Sequence, residues 1–339
     1  MERQQVQQHI HIVDVPAVQD GIVIENGTDG NQFVWVPVGE IKNKDNTTNT
    51  ITLGRYTFNY STGKETLIQN AKEYQQETIV TVKSQKKQDY AIAKLKLQDN
   101  EVKINTAIQL EGILNNAKIT TTAVDIPANV DYKELVAFRV GNTATDSTAE
   151  NATARDLKTF IETSLANGGY YIARFEASGT TEKIESKYNK IVLEEMTQPN
   201  AAKVAREMYG EVKENNELIY ASDLINSYAW DTAIIFIQTY GTGTDASTYT
   251  IQNKSTSFAN TGINNDKYCN IWDMSGNAEE WTTEYSNRSS DNYFMICVSR
   301  GGDYYAPSGG TSYFTSARKE KSTLDDSYRN GLRSILYAK

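Results

Sequence analysis

Hydrophobic and polar residues alternate along the first forty residues in a pattern that predicts short antiparallel strands. His9 and His11 alternate with apolar residues as far as Val13, which predicts a strand with both histidines on one face. Residues 21–24 and 33–38 form two apolar runs on either side of Asn-Gly and Asp-Gly dipeptides. Because these dipeptides favour positive φ, we predict a β-hairpin here.

Farther along the chain, the periodicity changes to that of amphipathic helices. Apolar residues at helical spacing, each set followed by glycine, predict helices over 153–167, 201–209 and 222–240. We expect Ser222 and Asp223 to form the N-terminal cap of the third helix. The last hundred residues, in which Gly, Ser, Asn and Asp punctuate short apolar runs, are expected to form strands and loops.

Together these elements predict an α+β fold with short, twisted, mostly antiparallel strands and two or three flanking helices. Further strand signals occur at 53–58, 78–82 and 170–177. We predict three parts of the chain: N-terminal strands that join the core, an insertion or subdomain, and the core with C-terminal ligand-binding loops. Their bounds are 1–41, 42–150 and 151–339.

Composition and charge narrow the possible functions. With 39% hydrophobic residues, the chain of 339 residues can bury a sizeable core. Its net charge of −9 argues against a nucleic-acid binder, which needs clustered Lys and Arg. No apolar run is long enough to span a membrane, and the N-terminus lacks the layout of a signal peptide. We therefore expect either a protein not exported by that route or one whose targeting segment was removed.

The chain contains two histidines and two cysteines. His9 and His11 are more typical of polar positions on a strand face than of a metal site. We expect Cys269 and Cys297 to form a disulfide, which would imply an oxidising location. The alternative is a pair of buried free thiols.

The most specific segment of the chain is 270–282, which reads Asn-Ile-Trp-Asp-Met-Ser-Gly-Asn-Ala-Glu-Glu-Trp-Thr. It resembles the Gly-Asn-[Val/Ala]-x-Glu-Trp signature of the formylglycine-generating enzyme (sulfatase-modifying factor) family, which has a C-type lectin fold. Further pieces resemble the family's strands and its Arg-Gly-Gly-Ser and Gly-Phe-Arg motifs in the same order, at 33–38, 171–177, 299–303 and 331–333. The resemblance covers about residues 30–40 and 168–337, and it implies the same fold here.

The resemblance also implies a structural calcium site. In the family, Ca²⁺ is held at the positions that match the Asp273 and Glu280 side chains and the Gly276 and Ala278 carbonyls. Such a set of oxygen ligands suits a hard cation. The alternative is a metal-free loop in which Glu280 accepts hydrogen bonds from nearby backbone. Trp281 is expected in the core.

The family's chemistry does not carry over. Its oxidase needs a late cysteine pair, but the matching stretch, 309–318, contains no cysteine, and Cys297 lies ahead of it. The Thr315 hydroxyl cannot replace a thiolate. The related iron-dependent sulfoxide-forming enzymes need a histidine cluster, and no histidine follows His11. We therefore predict that the protein is not an enzyme, has no catalytic residues and takes neither copper nor iron.

The C-terminal region resembles a second group, the non-catalytic variable proteins of diversity-generating retroelements, which display Tyr, Ser, Asn and Asp on a C-type lectin scaffold. Of 21 tyrosines, seven lie in the last 55 residues. Tyr and Ser are good contact residues for binding. We expect the binding loops around 286–294, 303–316 and 319–330. The candidate contact residues are Tyr304, Tyr305, Ser308, Tyr313, Phe314, Lys319, Asp325, Asp326 and Tyr328.

We therefore predict a receptor-like or adhesin-like bacterial or phage protein, located at the cell surface, outside the cell or on a virion. Its ligand would be a protein or a surface glycan on another cell or host. We assign Arg300, Arg318 and Arg333 to structure, paired with buried carboxylates or carbonyls. One alternative is a pilin-like or virion subunit that uses this domain for assembly. A lesser alternative is an enzyme of the same scaffold with altered chemistry.

Overall fold

A computed structural model describes residues 10–14, 17–74, 79–83, 89–94, 132–134, 156–215, 217–254, 257–286, 296–305, 313–322, 325–326 and 328–338. The N-terminal strands are β1 (Ile10–Asp14), β2 (Val23–Asn26), β3 (Gln32–Pro37), β4 (Gly39–Lys42), β5 (Thr48–Ile51), β6 (Gly54–Phe58), β7 (Glu65–Asn70), β8 (Ile79–Lys83) and β9 (Asp89–Lys94). The strands that follow are β10 (Tyr132–Glu134), β11 (Gly169–Ala173), β12 (Ser178–Gly179), β13 (Ile184–Glu185), β14 (Glu211–Glu214), β15 (Glu217–Leu224), β16 (Lys267–Tyr268), β17 (Ile271–Trp272), β18 (Glu279–Ser286), β19 (Ile296–Arg300), β20 (Lys319–Ser322), β21 (Asn330–Leu332) and β22 (Ser334–Ala338). The α-helices are α1 (Leu157–Asn167), α2 (Gln198–Glu207) and α3 (Ser227–Tyr240), and short 3-10 helices occur at Val18–Asp20, Ala71–Glu73 and Ala246–Ile251.

Two larger sheets organise these elements. The first has the order β1-β2-β3-β11-β22-β15-β14, and all its pairs are antiparallel. The second has the order β10-β18-β19-β20, with β21 parallel to β18. The predicted α+β class with mostly antiparallel strands and few helices is confirmed, as is the hairpin of β2 and β3.

The main core lies between the first sheet and the helices. Helix α1 packs on β11 and β22, and α3 packs on β3 and β6. The buried core side chains include Phe160, Tyr170 and Trp230. Leu53 and Tyr56 belong to the same cluster, so residues just beyond 42 help to build the core. The domain division itself stays a prediction.

The predicted cap of the third helix is wrong. Ser222 and Asp223 lie in β15, between β14 and β22, and the helix begins at Ser227. Asn226 is the cap, since its Oδ1 accepts a 2.9 Å hydrogen bond from the Ala229 N–H. Pairing on both sides of β15 outweighed the local capping signal. The predicted end before Gly241 is confirmed.

The other two helices also differ from their predicted bounds. Helix α1 begins four residues late, because Asp156 Oδ1 caps it by accepting from the Thr159 N–H at 3.0 Å. It ends at Gly168, whose φ of 74° is left-handed, as the sequence predicts. Helix α2 begins at Gln198, and Pro199 lies in its first turn, where a missing N–H costs nothing.

The two cysteines are buried and do not form a disulfide, so the predicted disulfide is wrong and the structure agrees with the alternative of two buried thiols. Cys269 belongs to the main core, whereas Cys297 belongs to a second cluster with Trp281 and Leu332. Burial raises the pKa of the Cys269 thiol to about 12. The argument for an oxidising location therefore loses its support. Trp281 is fully buried, as predicted.

A buried network of arginines and carboxylates joins α3, β6, β18 and the end of β19. Arg300 contacts Asp231 at 2.6 Å and Glu284 at 3.2 Å. Arg318 contacts the same two carboxylates at 2.8 and 2.9 Å. Arg55 contacts Glu284 at 2.7 Å. The structural role predicted for Arg300 and Arg318 is confirmed. Although burial opposes ionisation of Glu284, the arginines lower its pKa to about 2.

Replacing Arg300 with Met should lower the free energy of unfolding by about 3–5 kcal/mol, because it leaves two buried carboxylates short of a partner. Chemical denaturation monitored by circular dichroism measures the change. The matched control is Lys158→Ala, which removes an exposed pair with Glu162 and should have little effect. Equal small effects of both substitutions would show that the network does not hold the fold together.

Candidate functional site

Arg329 lies between two exposed tyrosines near the C-terminus. Its guanidinium carbon is 4.4 Å from the ring centre of Tyr305 and 4.9 Å from that of Tyr328. Its Nη2 also donates to the Tyr328 hydroxyl at 2.5 Å. The two tyrosines are 57% and 50% exposed, so the cation–π contacts order rings that face solvent.

Tyr304 and Phe258 extend this aromatic surface. Their ring centres are 5.2 Å apart, and Phe258 is 42% exposed. The backbone N–H of Tyr304 donates to the Asn277 carbonyl at 2.9 Å. We call Phe258, Tyr304, Tyr305, Tyr328 and Arg329 the tyrosine–arginine surface.

Asp303 connects this surface to its surroundings. Its buried carboxylate lies 3.4 Å from Arg329 and 3.6 Å from Lys319, and it accepts from the Tyr305 N–H at 2.9 Å. The Lys319 ammonium lies 5.4 Å from the Tyr313 ring centre. One carboxylate therefore positions two cations, each of which contacts tyrosine.

Gly302 allows two chain segments to meet beneath the surface. Its φ is +72°, and a Cβ there would lie 2.2 Å from the Tyr313 carbonyl oxygen. Any side chain would therefore force the segments apart. This close approach explains the glycine that follows Arg300-Gly301 in the sequence.

The structure brings together Tyr304, Tyr305 and Tyr328, with Tyr313 and Lys319 linked through Asp303. The other predicted contact residues lie elsewhere. Phe314 packs against Tyr60 with ring centres 5.8 Å apart. Asp325 accepts a 3.1 Å hydrogen bond from Asn330, and Asp326 is exposed. Ser308 and residues 287–294 lie outside the described residues.

Sequence reasoning missed Arg329, Phe258 and Glu194. Arg329 directly follows Tyr328 between two glycine-containing landmarks, and that position was the available signal. Phe258 and Glu194 come from distant segments and carry no such signal. Burial, reinforced by Glu195, raises the pKa of Glu194 to about 7, and Arg329 opposes the shift.

Two buried polar atoms near this surface have no hydrogen-bond partner among the described residues. They are Nε of Arg329 and Oε1 of Glu194. Buried polar atoms are normally paired. Both atoms are buried, so the partner that suits them is an internal water.

The predicted calcium ligands lie in a tight loop with several left-handed residues. Asp273 and Asn277 have φ values of 58° and 64°. Asp273 Oδ2 accepts from the Gly262 N–H at 2.5 Å. Glu280 accepts from Arg333 through both oxygens, with the shortest contact at 2.5 Å. The structural role predicted for Arg333 is therefore confirmed.

These contacts do not fit a calcium site. The cation opposite Glu280 is the Arg333 guanidinium, which also donates to two backbone carbonyls. Across the described residues, no group of three or more His, Cys, Asp or Glu side chains is arranged to hold a metal. Calcium stays a prediction, and the geometry counts against it.

Four buried carboxylates surround this loop, and their charge exceeds that of Arg333. Burial raises the pKa of Asp266 to about 7 and that of Asp273 to about 6. Burial, together with Asp273 and Glu280, raises the pKa of Glu176 well above its usual range. Oδ1 of Asp273 has no hydrogen-bond partner among the described residues. Burial and mutual repulsion therefore both favour the protonated forms of these carboxylates.

Stability should fall as the pH rises from about 5 to about 8. In this range both carboxyls are ionised in the unfolded chain. In the folded protein, Asp273 retains its proton until the pH passes about 6, and Asp266 retains its proton until the pH passes about 7. Each group contributes a slope of at most about 1.4 kcal/mol per pH unit. Unfolding temperatures measured across this range should decrease, and Asp266→Asn should flatten the curve.

A contrast comes from Glu284, whose pKa of about 2 places its titration below this range. Its stabilising contribution is present above the unfolded pKa and is lost only as the pH falls toward 2. Glu284→Gln should therefore lower stability throughout the range from about pH 5 to about pH 8. An unchanged slope in Asp266→Asn would contradict the role given to the acidic cluster.

Calcium and chelator should both leave the unfolding temperature unchanged, because Arg333 holds both oxygens of Glu280. A ligand that binds only the folded state stabilises it, so a rise with added calcium would restore the calcium site. Glu280→Gln should destabilise the protein equally with and without calcium, since it leaves Arg333 buried with a weaker partner.

Among the described helices, none is long and apolar enough to cross a membrane.

No protein-family model matches the chain, and no curated protein matches it. Among solved structures, the chain is similar to one described as the crystal structure of CarF, with 13% identity and a TM-score of 0.33, over 50% of this chain and 87% of that chain. A likeness this low carries no argument, so the architecture described above stands on the strand pairing alone.

Proposed function

We propose that the protein is a non-enzymatic binding protein whose working surface is the tyrosine–arginine surface. The observation that carries the proposal is the position of Arg329 between two half-exposed tyrosines. Tyr and Arg are the residues that most often dominate binding energy. Tyr supplies large contact area with few rotatable bonds, and here both residue types lie together on one face.

The surface is held in place before any ligand arrives. Arg329 is fixed by Asp303 and by the Tyr328 hydroxyl, and Lys319 is fixed by Asp303 and Glu279. Side chains that are already ordered lose less conformational entropy on binding. This preorganisation supports a role in recognition.

The chemistry of the remaining groups supports a protein without catalytic activity. Cys269 and Cys297 are buried, and the raised pKa of Cys269 opposes the thiolate that nucleophilic or metal chemistry needs. The Thr315 hydroxyl is buried and donates to the Gln252 carbonyl at 3.1 Å.

The finer identity that we propose is a C-type-lectin-like scaffold of the formylglycine-generating enzyme type, similar to retroelement-diversified variable proteins. Support comes from the burial of the landmark residues Arg300 and Arg333, beside loops that carry exposed tyrosines. The ligand that we propose is a protein or glycan on another cell or host. Diversification of the loops stays part of this proposal.

Replacing Tyr304, Tyr305, Tyr328 and Arg329 together with Ala should abolish ligand binding while leaving the fold intact, because these side chains contribute little to the buried core. Ligands are first selected with the wild-type protein from a glycan array and a displayed random-peptide library. Affinities of the wild type and the variant for each selected ligand are then measured by calorimetry. Loss of at least about tenfold in affinity is expected.

The matched control is Tyr60→Ala, which removes another half-exposed tyrosine, 44% exposed, and should keep wild-type affinity. Circular dichroism and unfolding temperature check that all the proteins fold. Binding that survives the quadruple substitution would refute this surface as the working site. A parallel loss of folding would show that these tyrosines belong to the core.

A further inference from the structure

A second group of exposed apolar side chains lies next to the tyrosine–arginine surface. Tyr188, Ile191, Phe258 and Ile263 are 57%, 77%, 42% and 47% exposed. They are four of the ten large hydrophobic side chains that are exposed among the described residues. Single exposed apolar residues are ordinary, whereas several on adjoining segments mark a contact surface.

Backbone hydrogen bonds join the two segments that carry these residues. The Asn189 N–H donates to the Thr261 carbonyl at 2.7 Å, and the Thr261 N–H donates to the Lys190 carbonyl at 2.9 Å. The Lys190 N–H also donates to the Thr261 hydroxyl at 3.0 Å. Segments 188–191 and 258–263 therefore form one unit.

This unit is fixed from below. Gly262 has a φ of +72°, and a Cβ there would lie 2.6 Å from the Phe175 ring. Its N–H donates to the buried Asp273. The Tyr188 ring packs against Phe175 and Trp272, with centre distances of 6.1 and 6.5 Å. The exposed side chains thus stand on a rigid base, which lowers the entropic cost of binding.

Two exposed lysines lie close in the sequence to the apolar side chains. Lys190 and Lys267 are exposed, and the Lys267 ammonium lies 5.7 Å from the Trp272 ring centre. Within 187–191 and 257–268, Asp266 is the sole carboxylate in the sequence, and it is fully buried. Since the whole chain has a net charge of −9, this cationic rim differs from the average character of the protein.

We propose that Tyr188, Ile191, Phe258 and Ile263, with the rim lysines, form a docking patch for an acidic, apolar segment of a partner polypeptide. The proposal rests on the proposed function, because Phe258 contacts Tyr304 and so joins the patch to the tyrosine–arginine surface. Charge complementarity steers an acidic partner toward the rim. The net charge of −9 disfavours a nucleic acid, whose phosphates need clustered Lys and Arg, so a polypeptide is the partner that we propose.

The test begins with a random-peptide library displayed on phage and selected against the wild-type protein. The selected peptides should be enriched in Asp and Glu together with large apolar residues. The most enriched peptide is then synthesised and its affinity measured by calorimetry. Affinity should fall at least about tenfold for Ile191→Ser/Ile263→Ser and for Lys190→Glu/Lys267→Glu, and it should fall as salt is raised.

The matched control is Ile219→Ser, an exposed aliphatic residue on β15, 40% exposed, which should keep wild-type affinity. The charge-reversal pair keeps the test decisive if the serine pair fails to fold. Peptides without acidic enrichment, no enriched peptide, or tighter binding of a single-stranded DNA oligonucleotide than of the peptide would each overturn the docking patch.

The two surfaces are separated by comparing variants. A peptide that binds the quadruple alanine variant of the tyrosine–arginine surface but not Ile191→Ser/Ile263→Ser supports the docking patch and contradicts the proposed working surface. The reverse result supports the proposed function and overturns the patch. Loss of peptide affinity with both sets of substitutions supports both proposals, because it shows that the two surfaces form one continuous binding face.

Discussion

The fold depends on keeping three arginines and two carboxylates charged without contact with water. Burying an ion costs several kcal/mol, and only a complete set of partners offsets that cost. Asp231 and Glu284 meet this condition because Arg300, Arg318 and Arg55 reach them from three separate parts of the chain. The network therefore fixes where β6, α3, β18 and the segment after β19 lie relative to one another. Displacement of any partner would leave a buried charge without a counter-charge.

The exposed surface follows from this buried frame. Arg300 is fixed by the network, and the two glycines after it lead the chain to Asp303, which orders Arg329 and Lys319. The order of the solvent-facing tyrosines thus comes from charge pairing below them rather than from their own packing. A frame of this kind leaves the outermost side chains, such as Tyr305 and Tyr328, open to substitution, because they contribute contact area and not the ion pairs that hold the segments together.

Sequence reasoning succeeded where the physical cause was local. The β2–β3 hairpin and the glycine that ends α1 were predictable because turn dipeptides and a left-handed glycine act within a few residues. The structural arginines were predictable because arginine is seldom buried unless it is paired. The prediction that Ser222 and Asp223 cap a helix was wrong because strand pairing outweighed the local capping signal. The predicted disulfide was wrong, and Arg329 and Phe258 were not predicted. In both cases the cause is the same, because the spacing of residues in the sequence does not show which distant segments lie close together.

One loop connects the buried acidic cluster to the exposed surface. Glu280 is neutralised by Arg333, but Asp273 has only the Gly262 N–H and an unpaired oxygen among the described residues. Oδ2 of Asp273 accepts the hydrogen bond from the Gly262 N–H. The protonation state of Asp273 therefore affects the loop that carries Ile263. Repulsion among buried carboxylates and the position of an exposed apolar loop are thus coupled through one hydrogen bond. The hydrogen bond from Gly262 favours the ionised form of Asp273, whereas burial favours the protonated form, so the contact that holds the loop and the repulsion among the buried carboxylates oppose each other.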